Sequence, residues 1–265
     1  MEAIYRIDGA NVITRRYAAG PWHPTMQHGS PPSALVTFLA EQIPTREPMQ
    51  IVRLTIDLMR PVPVAPLSFE TEVLREGRKI QLCAVRLKAE GVVVVSATVL
   101  KVIIGTPALP DDIAHPPIDV PPPEQGRPLQ MRHDNNPFIG CVSVREVHGG
   151  FLSLGPGAIW YRLDRPMIED QPTSQVMRAA IAADFSNATS AVLDFKDWTF
   201  INADLSINLA RPPVGDWILL NSEMWIGADG AGIAASKLGD VNGYFGRAVQ
   251  SLVIEQRQPE SAAAS

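Results

Sequence analysis

The stretch IVRLTIDLMRPVPVAPL at residues 51–67 is written a second time as INADLSINLARPPVGDW at residues 201–217. A shift of 151 residues lays Leu54 on Leu205, Ile56 on Ile207, Leu58 on Leu209, Arg60 on Arg211 and Pro61 on Pro212. One further residue of shift brings EGVVVVSATVLKVI onto NGYFGRAVQSLVIE, so that Gly91 meets Gly243, Thr98 meets Gln250 and Leu100 meets Leu252. The first pair alternates apolar and polar side chains, the two-residue period of a strand with one buried face. A period of 151 residues exceeds any solenoid unit and indicates a duplicated domain. Whatever this chain folds into must be built twice.

Between the copies, residues 105–128 read GTPALPDDIAHPPIDVPPPEQGRP and hold eight prolines. Each proline fixes φ and lacks an N–H, so the segment fits neither a helix nor a central strand and reads as an extended, polyproline-like linker. The expected organisation is a first copy at residues 1–105, a linker at 106–130, a second copy at 131–258 and a frayed tail at 259–265. Within each copy an amphipathic helix is expected first. SPPSALVTFLAEQI has Ser30 as N-cap and Pro31 at the first helical position, with Ala34, Leu35, Phe38 and Leu39 on one face. TSQVMRAAIAADFSN opens at Thr173 or Ser174 and groups Val176, Met177, Ala180 and Ile181. Strands follow at 51–59, 67–75, 80–89 and 92–103, and again at 201–209, 217–227, 232–239 and 245–256, separated by turn pairs such as Glu90-Gly91 and Asn242-Gly243. A helix before a run of long antiparallel strands gives an α+β class, with each sheet curled around its helix.

Composition closes off several functions. The net charge of −5 comes with no local Lys/Arg cluster, so no nucleic-acid partner is expected. The most apolar run, residues 92–104, is interrupted by Lys101 and is too short to span a bilayer; it reads as a buried strand, and no membrane partner is expected. The start MEAIYRIDGANV lacks a basic region followed by an apolar one, so a cytoplasmic location is expected. Cys83 and Cys141 lie in apolar strand-like segments and read as two buried thiols. The histidines at 23, 28, 115, 133 and 148 have no ligand spacing, and no Gly-x-Ser-x-Gly elbow occurs. GAGIAA from Gly230 sits between strands and reads as a hairpin turn. Trp160, Trp198 and Trp225 read as core.

A duplicated helix-and-antiparallel-sheet unit resembles the double-hotdog acyl-CoA thioesterases. GPWHPTMQHGSPPSALV from Gly20 is similar to the family's segment in which a His-Gly or Phe-Gly pair precedes the first central helix. IAADFSN from Ile181 resembles the second helix with its aspartate, and INADLSINLARPPVGDW and GRAVQSLVIEQR resemble two second-copy strands, the latter with its glutamine. The similarity runs over most of residues 5–257 outside the linker. It implies a tandem double hotdog, hydrolysis of an acyl-CoA substrate without a cofactor, a possible homo-oligomer, and a site of aspartate, hydroxyl residue and glutamine. Those positions fall on Asp184, Asn202 and Gln250, so an asparagine stands where the family has Thr or Ser.

Thioester hydrolysis needs a positioned water, an acceptor for its proton, and donors facing the developing oxyanion. Asp184 follows the apolar helical run AAIAA, and desolvation strengthens a carboxylate as a base. Gln250 in an otherwise largely apolar strand needs hydrogen-bond partners. Asn202 can orient water through its amide but offers no hydroxyl. Asp204 is expected to bond backbone or Arg211. His28 and Gly29 immediately precede the first helix, where free N–H groups can polarise a substrate carbonyl, and are expected to contribute to substrate binding. The rival reading is a non-catalytic acyl-CoA or acyl-carrier binding protein with the same fold. A dehydratase ranks below both, because no histidine occurs between Gly149 and Ser265.

Overall fold

The computed structural model describes residues 1–110, 113, 117–130, 136–151 and 153–257. The expected tail at 259–265, and His115 and His133, lie outside the described residues. The first half consists of β1 (Tyr5–Asp8), β2 (Asn11–Thr14), α1 (Ser30–Gln42), β3 (Met49–Leu58), β4 (Leu67–Glu76), β5 (Ile80–Ala89) and β6 (Val92–Ile103). After the two-residue strand β7 (Arg127–Pro128), the second half repeats the order. It runs through β8 (Val142–His148), β9 (Gly157–Leu163), α2 (Gln175–Ala183), a short α3 (Ser186–Thr189), β10 (Trp198–Asn202), β11 (Asp204–Leu209), β12 (Ile218–Ile226), β13 (Ala231–Asp240) and β14 (Gly243–Gln256). Two strands therefore precede each helix, which the sequence reading had placed first. The four-residue β1 and β2 are too short for periodicity to register, and β9 is buried along nearly its whole length and does not alternate.

All the strands join one antiparallel sheet in the order β1-β2-β4-β5-β6-β3-β11-β14-β13-β12-β9-β8-β7, with β10 also on β14. The order reads alike from the middle outward, and the middle is the β3–β11 ladder. There Thr55 faces Ser206, its own counterpart under the 151-residue shift, while Leu54 faces Ile207 and Ile56 faces Leu205. The copies thus meet about a local two-fold that passes between Thr55 and Ser206. The same shift holds through the neighbouring ladders. Thr55 pairs Thr98 and Ser206 pairs Val249, and the register slip at Val52 recurs at Ala203. The extra residue of shift expected around Gln250 is absent. The counterparts of Asn202 and Gln250 are Ile51 and Val99, and Thr98 matches Val249 instead.

The helices occupy the inside. α1 packs on α2 and on β3, β5 and β6, and α2 packs on β9, β11, β12 and β13. One apolar cluster runs through both halves, from Ile4, Leu35, Leu54 and Val85 to Ile181, Ile207, Leu220 and Ala248. α1 opens one residue earlier than expected. Gly29 is its N-cap and Ser30 its first residue, which frees the Ser30 hydroxyl for other work. Ser174 caps α2 as expected, its hydroxyl accepting the Met177 N–H at 3.1 Å. At the β5–β6 turn both Glu90 and Gly91 have positive φ, the requirement of a tight two-residue hairpin.

The Pro-rich segment is not a free tether. Pro121 O accepts the Trp160 indole N–H at 3.0 Å, Asp119 accepts the Tyr244 hydroxyl at 3.0 Å, and Ile118 and Val120 cover Trp160 and Leu219. Trp160 is thus buried against the linker and Trp198 is partly buried, but Trp225 is 61% exposed and belongs to no core. Cys83 and Cys141 are free and buried, and burial pushes both thiols up. Asp204 accepts the Ser251 N–H at 2.6 Å, whereas Arg211 pairs instead with Asp240, at 2.9 Å from Nη2 to Oδ1. Among the described residues no helix is long and apolar enough to cross a membrane.

Two expectations follow. Leu54 is fully buried at the joint, so Leu54→Ala is expected to cost about 2–5 kcal/mol. Because the halves share one core, a urea melt should show a single shifted transition rather than two. Burial alone would raise the Asp240 carboxyl, but Arg211 and the N–H groups of Asn242 and Val214 outweigh it and hold it below the usual carboxylate range. A group lowered on folding contributes stability above its unfolded value and loses it as pH falls through the folded one. Thermal melts should therefore show Asp240→Asn less stable at pH 7 and less sensitive to acid below about pH 4.

Candidate active site

Asp184 stands where α2 ends. The Asp184 N–H and the Phe185 N–H both bond back to Ala182 O, which tightens the last turn, and α3 starts at Ser186 on a new course. The break leaves the Asp184 side chain facing the start of α1 from the other half, with only 4% of the residue exposed. Four side chains meet it there. Asn202 Nδ2 donates to Oδ1 at 3.0 Å and Gln250 Nε2 to the same oxygen at 3.4 Å. Ser30 Oγ shares its single proton between Ile181 O at 2.8 Å and Oδ2 at 3.2 Å, and His28 Nδ1 lies 2.9 Å from Oδ2. A carboxylate this deep in the protein is tolerable only with its lone pairs engaged, and here both oxygens are.

Each partner is itself held. Gln250 is fully buried on the inward face of β14 between Ala248 and Leu252. Its Oε1 accepts the Asn187 N–H at 3.0 Å, which turns Nε2 toward the Asp184 carbonyl and carboxylate. Asn202 is the last residue of β10, next to the Ala203 irregularity that sets β10 off from β11. The His28 ring is flanked by Phe138 and Phe185, with ring centres 5.0 and 4.7 Å away. Its Nδ1 has two claimants, because the Ser30 N–H also points at it from 3.1 Å. A protonated Nδ1 donates to Asp184; an unprotonated one accepts from Ser30.

His28, Gly29, Asp184 and Asn202 line a pocket of about 290 Å³ with Trp22, Ile139, Phe151, Asn187, Phe195 and Arg257 among its other walls. Gln250 lies behind this surface, bonded to Asp184 and to the Asn187 N–H. All five residues singled out in the sequence therefore come to one place. The helix-start N–H groups expected at α1 are fewer than supposed, since Pro31 and Pro32 have none, Ser30 N–H faces His28, and Ser33 N–H bonds Gly29 O. The amide of Gly29 is left as the candidate.

Ser30, Phe138 and Asn187 were not found from the sequence. The sequence pattern makes Ser30 an N-cap and no more. Asn187 lies three residues after Asp184, a spacing that in a helix shares a face, but the helix breaks between them. Phe138 gave no signal. The mirrored position in the first half carries Ile51 and Val99 in place of Asn202 and Gln250. There Ser174 donates to Glu41 at 2.8 Å and Lys101 to Ile43 O at 2.8 Å. Burial pushes Glu41 up and Lys101 down. Among the described residues no group of acidic, histidine or cysteine side chains could hold a metal ion.

Gly29 gives a direct test of the geometry. A methyl group there would overlap the Asp184 carboxylate, yet Gly29 has an ordinary φ of −67°. Gly29→Ala is expected to keep its fold by circular dichroism and to displace the carboxylate. Activity should fall by about 10² if the site is the working one.

Residues 18–102 match the family described as acyl-CoA thioesterase N-terminal domain, and residues 114–254 match acyl-CoA thioesterase C-terminal domain. No curated protein matches the chain. Among solved structures, a hot dog fold protein of unknown function from Alicyclobacillus acidocaldarius superposes with a TM-score of 0.75 at 16% identity, covering 96% of each chain. A candidate thioesterase from Novosphingobium aromaticivorans gives 0.71 at 21% identity over 96% of this chain and 99% of its own. An acyl-CoA thioesterase II from Mycobacterium marinum gives 0.63 at 14% identity over 98% and 96%. These likenesses establish a hotdog-type fold.

Proposed function

The chain belongs to the acyl-CoA thioesterase family, and we propose that it hydrolyses an acyl-CoA thioester by direct attack of water. In this reading the fold is a tandem double hotdog, each half an antiparallel sheet around a central helix, with one working site between the halves. The observation that carries it is the convergence of Asn202, Gln250, Ser30 and His28 on the buried Asp184 carboxylate.

The water sits on the pocket side of the Asp184 carboxylate beside Asn202, since both residues line the pocket. Asp184 accepts a proton as the water oxygen bonds to the thioester carbon. The carbonyl becomes an oxyanion facing the Gly29 N–H. Collapse of that intermediate breaks the carbon–sulfur bond, and the departing thiolate takes the proton back from Asp184. The products are a carboxylic acid and free coenzyme A thiol. Asn202 replaces the family's hydroxyl by an amide that donates to Asp184 and orients the water, without acting as a nucleophile.

A second division of labour has one observation behind it. The 2.9 Å approach of His28 Nδ1 to Asp184 is the arrangement by which a carboxylate orients an imidazole base. His28→Gln separates the two. With Asp184 as acceptor the variant retains a substantial share of kcat, and with His28 as acceptor it falls as far as Asp184→Asn.

Purified protein is expected to release thiol from a panel of acyl-CoAs, and Asp184→Asn to lose about 10²–10⁴ of that rate. Full activity in Asp184→Asn overturns the mechanism. Tight acyl-CoA binding with no thiol release from any member of the panel selects a binding protein instead.

A further inference from the structure

Among the pocket residues that take no part in that chemistry are the indole of Trp22 and the guanidinium of Arg257. Both are exposed, so they form the rim rather than the floor. They come from opposite ends of the chain, yet Arg257 Cζ stands 5.9 Å from the centre of the Trp22 ring. Arg257 is also anchored by Nε, which donates to Phe195 O at 2.8 Å, and by its backbone N–H, which donates to Asp197 O at 2.8 Å. Neither terminal nitrogen has a partner among the described residues, and none of their carboxylates forms an ion pair with it. In a chain of net charge −5, a pinned and unpaired cation at the mouth of a pocket with a carboxylate at its floor points to an anionic ligand.

The spacing identifies which anion. Asn202 pairs Leu252 across β10–β14, and Arg257 lies five residues further along that chain. At ~3.3 Å per strand residue this is about 17 Å from the catalytic level, before the side chain folds back. From a thioester sulfur to the first phosphate of coenzyme A there are about thirteen bonds, and at the extended-chain rate of ~3.5 Å per three bonds they span about 15 Å. The far carboxylate of a five-carbon diacyl group is about four bonds from its thioester carbon, roughly 5 Å on the same rate.

We propose that Arg257, backed by Trp22, is the subsite for the phosphates of coenzyme A, with the pantetheine arm lying between this rim and Asp184. This deepens the thioesterase reading and rests on it for the substrate's orientation. The guanidinium supplies charge-assisted hydrogen bonds to phosphate, and the indole holds its plane at the rim.

The test compares butyryl-CoA with butyryl-N-acetylcysteamine, which keeps the thioester and lacks the phosphates. In Arg257→Gln the ratio of kcat/KM between the two is expected to fall by about ten- to a hundredfold, carried by KM for the CoA ester. Trp22→Ala should move the ratio in the same direction by less. Calorimetric titration with free coenzyme A should show the same loss of affinity without any turnover. An unchanged ratio and unchanged coenzyme A affinity in Arg257→Gln overturn the proposal. So does a variant that loses only a preference for glutaryl- over butyryl-N-acetylcysteamine, which would place the acyl end at the rim. If the wild type cleaves neither ester but Arg257→Gln still weakens coenzyme A binding, the subsite stands and the hydrolytic reading falls.

Discussion

The ladder between β3 and β11 is the constraint on which the rest of the molecule depends. Its hydrogen bonds close the two half-sheets into one, and its register puts Thr55 against Ser206 at a local two-fold. Two-fold pairing brings the second helix alongside the first, so that the start of α1 meets the end of α2 and the end of α1 meets the start of α2. The Asp184 contacts with His28 and Ser30 are one of these meetings, and the Ser174–Glu41 contact is the other. A one-residue slip in the ladder would turn every inward side chain of a strand outward, so the apolar residues at 54, 56, 205 and 207 fix the site's geometry from a distance.

Symmetry supplied two places for a site and the sequence equipped only one with the full polar set. In the second half the inward positions hold Asn202 and Gln250; in the first they hold Ile51 and Val99. Burying Asp184 is costly without partners, and the partners are costly without Asp184. The group is therefore kept or lost as a unit. Helix geometry separates the halves as well. α1 runs on to Gln42, whereas α2 stops at Ala183 and turns through Phe185, and that early stop is what aims the carboxylate.

How much was legible from the sequence varied with the kind of signal. The strands β3–β6 and β12–β14 were readable because runs of nine or more residues survive local noise, and so were the buried cysteines and the Ser174 cap, but the expected strand at 201–209 is split at Ala203 into β10 and β11. β1, β2, β8 and β9 were missed, being short or lacking clean alternation. Asp184, Asn202 and Gln250 were marked by the resemblance, and for Asp184 and Gln250 the apolar runs around them point the same way, since a polar group there demands partners. The counterpart of Gln250 was misplaced by one residue, because the match rested on Gly91 against Gly243, whereas the two turns set Gly91 level with Asn242. The partners of Arg211, the role of Ser30 and the clasp of Phe138 and Phe185 around His28 were out of reach, since each depends on which distant element arrives opposite.

The sequence by itself determined that one unit is built twice, that it is α+β, and that its polar exceptions lie in the second copy. These are properties of period and composition, carried by each segment without reference to its neighbours. Only the tertiary structure brings the residues of the candidate site together between the copies. His28 and Gly29 precede the first helix and Asp184 ends the second, and they touch only because the β3–β11 ladder sets the two halves about a common axis. Chain separation of 155 residues between Gly29 and Asp184 hides that contact from any local pattern, while the shared core makes it a fixed distance in the folded molecule.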